Sequence, residues 1–97
     1  MQVKISVTII TYNEEKNIER CLRSVEGVAD EIVVVDSFSK DRTKEICLNH
    51  GVVFVENAFE GYSEQKNFAN AIATHNYILS LDADEALTDE LRQSILQ

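Results

Sequence analysis

Four short apolar runs, each followed by a stretch with helical periodicity, constrain this chain more than any other feature. Val3–Thr11 is rich in β-branched residues and reads as a strand broken by Tyr12-Asn13. A helix is predicted from about Glu14 to Val25, because Ile18, Cys21, Leu22 and Val25 make one apolar stripe, and Gly27 ends it. Glu31-Ile-Val-Val-Val-Asp36 is a second strand, followed by a Ser37–Lys40 loop. Asp41 is placed to cap a helix reaching His50, with Ile46 and Cys47 inward and Gly51 as terminator. Val52–Val55 is a third strand and Glu56–Tyr62 a loop. Ser63 is expected to cap a helix that shows Gln65, Phe68, Ala69 and Ile72 on one face. Tyr77-Ile-Leu-Ser-Leu-Asp82 is the fourth strand, with Ile78, Leu79 and Leu81 expected to be buried. Thr88 can cap a last helix with Leu91 and Ile95 inward. The order βαβαβαβα with short connections predicts an α/β fold with a parallel sheet covered by helices on both sides.

A parallel sheet gathers its strand ends on one edge, and ligands bind beyond the carboxyl ends. Three of those ends are polar here: Thr11-Tyr12-Asn13-Glu14, Asp36-Ser37 and Asp82-Ala83-Asp84. In extended backbone Asp82 and Asp84 would face one side, with α-carbons roughly 6–7 Å apart, suited to one cation. Solvated acids of early helical turns, such as Asp89 and Glu90, are the plain alternative for any such carboxylate. Tyr12 offers an aromatic face or a half-buried strand end, Asp36 an acceptor or a turn cap, and Lys66 a phosphate-binding cation or a solvated helix residue.

The net charge of −8 argues against nucleic acid as a partner, which would need clustered Lys and Arg. A phosphate ligand would instead need a divalent cation, Mg²⁺ or Mn²⁺, between it and the carboxylates. Cys21 and Cys47 fall on apolar helix faces and read as free thiols, which with no signal-peptide pattern suggests a reducing compartment. No G-x-G-x-x-G or P-loop pattern occurs among the three glycines.

The four segments Ile9-Ile-Thr-Tyr-Asn-Glu-Glu15, Val33-Val-Val-Asp-Ser-Phe-Ser-Lys-Asp-Arg-Thr43, Gln65-Lys-Asn67 and Leu79-Ser-Leu-Asp-Ala-Asp-Glu85, in this order, resemble family 2 glycosyltransferases of the GT-A fold. The likeness covers nearly the whole chain, 1–97, and is closest in look to bacterial enzymes that add glucose or a similar sugar to lipopolysaccharide core or other surface glycans. It implies a nucleotide-sugar donor, a glycan or glycolipid acceptor, and a cytoplasmic enzyme at the inner face of the membrane. By resemblance, Thr11, Tyr12 and Glu14 line the nucleotide pocket and Asp36 accepts from base or ribose. Lys66 reaches the diphosphate or base, Asp82 touches ribose or metal, and Asp84 coordinates the metal. Many relatives carry a second Asp and a Gly where this chain has Ser37 and Phe38.

Such enzymes invert the anomeric centre, with a carboxylate as general base on the acceptor hydroxyl. In the family that base lies well beyond Asp-x-Asp, so no catalytic base is expected within these residues. The donor-binding part alone is then expected to be inactive, and its open sheet edge allows dimers. A receiver-type signalling module lacks its acceptor Asp at the third strand's end, where Val55-Glu56 stands. A nucleotidyltransferase would want a glycine-rich loop after the first strand. A non-catalytic nucleotide-binding fragment remains the alternative.

Overall fold

The computed structural model describes residues 3–96. Strands β1 (Ile5–Thr11), β2 (Glu31–Asp36), β3 (Val53–Glu56) and β4 (Tyr77–Asp82) alternate with helices α1 (Ile18–Ser24), α2 (Thr43–Asn49), α3 (Tyr62–Ile72) and α4 (Asp89–Leu96). The strands form one sheet in the order β3-β2-β1-β4, and every pairing is parallel. The α/β parallel fold read from the sequence is therefore present.

The unbroken apolar run of β2 has its reason in this layering. Val34 faces the larger core with Val7 and Ile9 of β1, Leu81 of β4, Ile18, Cys21 and Leu22 of α1, and Cys47 of α2. Val33 and Val35 face the other side, against Ala69 of α3. Covered on both faces, β2 needs no polar alternation. Ser6 and Thr8 on the α3 side satisfy their hydroxyls with Glu31 and Asn70.

Several boundaries and faces differ from the sequence reading. Helix α1 starts at Ile18 rather than Glu14, because the N–H groups of Glu14 and Glu15 are donated to Thr43 Oγ1 and Asp41 Oδ2 of the neighbouring loop. Ser63 does not cap α3: the helix begins at Tyr62 after Gly61, whose φ of 142° suits glycine. Phe68 is exposed and only Gln65 and Ala69 of α3 are buried, since α3 packs on β1 and β2 and leaves β4 uncovered. For the same reason Ile78 is exposed while Leu79 and Leu81, on the opposite face, pack on the larger core. Thr88 does cap α4 through its hydroxyl to the Leu91 N–H, yet Leu91 stays exposed and α4 buries no residue. Gly27 and Gly51 end α1 and α2 in left-handed conformation, as the pattern predicts.

Candidate functional site

The β1–α1 and β2–α2 loops are sewn together by side chains that the sequence supplies within two short stretches. Asn13 takes the left-handed conformation (φ 51°), which Asn tolerates, and so turns the chain sharply after Tyr12. Its N–H is donated to Ser39 Oγ at 2.7 Å, and its Oδ1 accepts from the Lys40 N–H at 2.8 Å. The Glu14 N–H donates to Thr43 Oγ1 at 2.8 Å, and Thr43 Oγ1 in turn donates to Asp41 Oδ1 at 2.6 Å. Asp41 also accepts the Thr43 and Glu15 N–H groups. Burial raises the Asp41 pKa, but these bonds outweigh it and hold the carboxyl below its ordinary value. Phe38 also has positive φ, 59°, a conformation that glycine adopts more readily.

Asp36 lies beneath this seam. It is fully buried, and its Oδ1 accepts from the Thr11 hydroxyl at 2.7 Å and the Ser39 hydroxyl at 2.5 Å. Its Oδ2 accepts the Ser39 N–H at 2.8 Å. The carboxylate is thus spent on tying β1 to the loop after β2, and it does not line the adjoining cleft. Ser37 does. Successive side chains of a strand alternate between faces, so Asp36 follows Val34 into the larger core while Ser37 turns toward α3.

The cleft beyond the strand ends has a volume of about 750 Å³. Thr11, Tyr12 and Glu14 line it from β1 and the loop after it, Ser37 from β2, Phe59, Tyr62 and Lys66 from the α3 region, and Asp82 and Asp84 from the end of β4. Tyr12 is half exposed and presents an aromatic face. The rings of Phe59 and Tyr62 meet edge to face with centroids 5.1 Å apart. Lys66 Nζ stands 3.7 Å from Asp82 Oδ1, an exposed pair. The structure therefore gathers Thr11, Tyr12, Glu14, Lys66, Asp82 and Asp84 around one space.

Asp82 and Asp84 reach it by a route other than an extended strand. β4 ends at Asp82, and the Glu85 N–H donates to the Asp82 carbonyl at 2.9 Å, closing a turn. Glu85 Oε1 accepts the Asp82 N–H at 2.7 Å, so the two residues bind each other reciprocally. Arg20 Nη2 holds the Asp84 carbonyl at 3.0 Å, and buried Ala83 anchors the turn in the core. Glu85, predicted without a role, is thus the fastener of the acidic turn.

Two exposed carboxylates on a fastened turn are hard oxygen donors of the kind Mg²⁺ and Mn²⁺ accept. No cluster of three His, Cys, Asp or Glu suited to a metal occurs among the described residues. The pair fits a cation that keeps water and takes its remaining ligands from a bound phosphate. Cys21 and Cys47 are free, and burial foremost pushes their thiols up to about 11 and about 12. Neither thiol lines the cleft.

The profile of Glycosyl transferase family 2 matches residues 6–97. The chain belongs to glycosyl transferase family 2. An uncharacterised glycosyltransferase of Rickettsia bellii is 47% identical over 95% of this chain and 31% of its own length. The lipopolysaccharide core biosynthesis glycosyltransferase LpsC of Rhizobium meliloti is 34% identical over 95% of this chain and 36% of its own. The chain thus spans about a third of the length of these relatives. Among solved structures, S. aureus TarS residues 1–349 in complex with UDP-GlcNAc superposes with a TM-score of 0.77 at 28% identity, over 97% of this chain and 30% of that one. Glucosyl-3-phosphoglycerate synthase of Mycobacterium tuberculosis in complex with UDP gives 0.76 at 25% identity, over 86% and 34%. The parallel sheet and its helices are those of the GT-A fold of family 2 enzymes. No described helix is long and apolar enough to cross a membrane.

Five lining residues were given no role in the sequence reading: Ile10, Ser37, Phe59, Tyr62 and Ala83. Strand alternation could have found Ser37. Nothing local marks Phe59 and Tyr62, which reach the family 2 cleft through the path of the chain between β3 and α3.

Proposed function

We propose that this cleft binds the nucleoside diphosphate of a UDP-sugar together with Mg²⁺ or Mn²⁺, as the donor half of an inverting transfer to a glycan or glycolipid. One observation carries the reading: a single cleft joins the aromatic faces of Tyr12, Phe59 and Tyr62 to the charged group Lys66, Asp82 and Asp84. A nucleotide needs both ends, stacking for its base and charge matching for its diphosphate. The UDP and UDP-GlcNAc complexes of the structural neighbours support uridine.

Each residue then has a task. Tyr12 stacks on the base from the loop that Asn13 and Thr43 fix. Asp82 and Asp84 hold the cation, which when bound supplies positive charge to the departing diphosphate. Lys66 leaves Asp82 for a phosphate oxygen, so the same cation serves the empty and the filled cleft. Glu14 lines the space above the ribose. Likeness to LpsC supports a lipopolysaccharide-type acceptor, and on that reading the enzyme would work in the cytoplasm against the inner membrane face. The carboxylates at the cleft are all engaged in binding the donor, so this chain by itself transfers no sugar. Transfer also requires an acceptor held in line, which can be worth roughly 7–11 kcal/mol.

Thermal unfolding with a panel of nucleotides tests this. UDP and UDP-sugars with Mn²⁺ should raise the Tm more than UMP does, because ligand binding to the native state stabilises it. Failure of every diphosphate to raise the Tm would contradict the reading. Sugar transfer by this chain, abolished by Asp84→Asn, would show that the base lies within it.

A further inference from the structure

Helix α1 holds the acidic turn from behind. Arg20 and Cys21 are consecutive on that helix, and each reaches the backbone carbonyl of one of the two acids. Arg20 Nη2 donates to the Asp84 carbonyl at 3.0 Å, and the Cys21 thiol donates to the Asp82 carbonyl at 3.8 Å. Between them Ala83 is 2% exposed and sits in the core that Ile18, Cys21 and Leu22 of α1 help to form. The helix is itself fixed, by those buried side chains and by the Glu14 and Glu15 N–H groups donated to the loop after β2.

Of the two holders Arg20 is the stronger, since a guanidinium makes a charge-assisted bond and a thiol is a weak donor. Arg20 is exposed, yet among the described residues it forms no ion pair with Asp82, Asp84 or Glu85. It does not line the cleft, whereas both aspartates do. The carbonyls are thus taken up on the α1 side, and the carboxylates are left for the cleft. Two carboxylates on one turn repel each other when no cation lies between them. Lys66 offsets this from the front, 3.7 Å from Asp82 Oδ1, but it lines the cleft and is open to a ligand. Arg20 acts from behind and stays whatever the cleft holds.

We infer that Arg20 is a positioning residue for the cation: by holding the Asp84 carbonyl it keeps the carboxylates of Asp82 and Asp84 set for one divalent ion before that ion arrives. This inference rests on the cation-dependent nucleotide reading above. Groups that orient the ligands of a metal without touching it are commonly worth about tenfold or more in metal affinity. The sign of the effect separates positioning from charge. Arg20 is positive, so its charge alone repels a divalent cation, and removing that charge would tighten binding. Removing the bond to Asp84 weakens it.

The test is calorimetric titration with UDP at a series of Mn²⁺ concentrations, which gives the Mn²⁺ midpoint of UDP binding, at a temperature where every variant is folded. Arg20→Met keeps a good helix former at an exposed position and should raise that midpoint about tenfold. Arg23→Met, on the same helix and paired with Glu19, removes the same charge without touching the turn and should leave the midpoint close to that of the unsubstituted chain. In the ligand-free chain the Glu85 amide, which closes the turn on the Asp82 carbonyl, should exchange faster in Arg20→Met. A lower or unchanged midpoint in Arg20→Met, or a rise matched by Arg23→Met, would overturn the positioning role, as would unaltered exchange at Glu85. Absence of Mn²⁺-dependent UDP binding in the unsubstituted chain would sink the nucleotide reading and this inference with it, whereas Mn²⁺-dependent binding indifferent to Arg20 sinks the inference alone.

Discussion

The two sides of the cleft are built differently. On the β1–β2 side, Asp36 is fully buried with three bonds, and Asn13, Ser39, Asp41 and Thr43 lock two loops together. On the β4 side, Asp82 and Asp84 are exposed on a turn held by Glu85 and Arg20, at the edge of the sheet. The first side is finished before a ligand arrives and fits a flat, neutral base. The second keeps its charges in water, where carboxylates are cheap to hold, and can desolvate them when a cation compensates. Among the acids at the strand ends, then, Asp36 is buried in the fold while Asp82 and Asp84 stay exposed at the cleft.

The largest expected effect breaks that division at Asp36. Asp36→Ala strands the hydroxyls of Thr11 and Ser39 in a buried place and should cost about 2–4 kcal/mol, read as a lower urea midpoint. Asp84→Asn on the exposed side should leave the midpoint within about 0.5 kcal/mol. Equal loss of stability in the two variants would erase the distinction.

Next in size is the reverse comparison in binding. Asp84→Asn should weaken Mn²⁺-dependent UDP affinity about tenfold or more, since even outer-shell partners of metals count for that much. Glu90→Gln, in the first turn of α4, contributes at most a helix-terminus effect and should leave the affinity unchanged. Matching losses would take the metal role away from Asp84.

Thr43→Val sharpens the account of the seam. It keeps the shape of the side chain but removes the acceptor for the Glu14 N–H and the donor to Asp41. A loss of about 1–2 kcal/mol is expected, together with faster amide exchange at Glu14. Unaltered exchange there would mean that the loop is held by other contacts.

The smallest effect is on the acid side of the stability curve. Bonds from the Thr74 N–H first, and from the Ser6 hydroxyl, hold the Glu31 carboxyl below its ordinary value. A carboxyl lowered in the folded state stabilises fully above the usual pKa of about 4.3 and ceases to do so as pH falls through the lowered value. Glu31→Gln should therefore make stability less steep in pH below about 4 and change the slope little near neutrality. An unchanged acid limb would show that this carboxyl titrates alike in both states.

Much of the architecture could be read from the chain because apolar periodicity reports burial directly. Ile18, Cys21 and Leu22 predict the inner face of α1, and the unbroken Ile32–Val35 run predicts a strand covered on both sides. Ile78 and Leu91 mislead for one reason: an apolar residue shows what it could be packed against, not whether a neighbour is there. Thr11, Tyr12, Glu14, Asp82 and Asp84 share the cleft because a parallel sheet collects its strand ends, and Lys66, read from the family resemblance, joins them from α3. Alternation along β2 turns the Asp36 side chain into the fold and leaves Ser37 on the cleft side, a distinction that the chemistry of a carboxylate does not itself reveal. The Asp82–Glu85 turn is local, but the reciprocal bonds that make it depend on a rotamer that spacing alone does not specify.

The central claim is that an aromatic, prebuilt side and an acidic, cation-dependent side act on one ligand. Isothermal titration of UDP in Mn²⁺, repeated in EDTA and repeated with Asp84→Asn and Tyr12→Ala, tests it directly. The account predicts measurable binding in Mn²⁺, its near loss in EDTA and in Asp84→Asn, and a weaker but still Mn²⁺-dependent affinity in Tyr12→Ala. Equal affinities in Mn²⁺ and EDTA, or indifference to Tyr12→Ala, would contradict it.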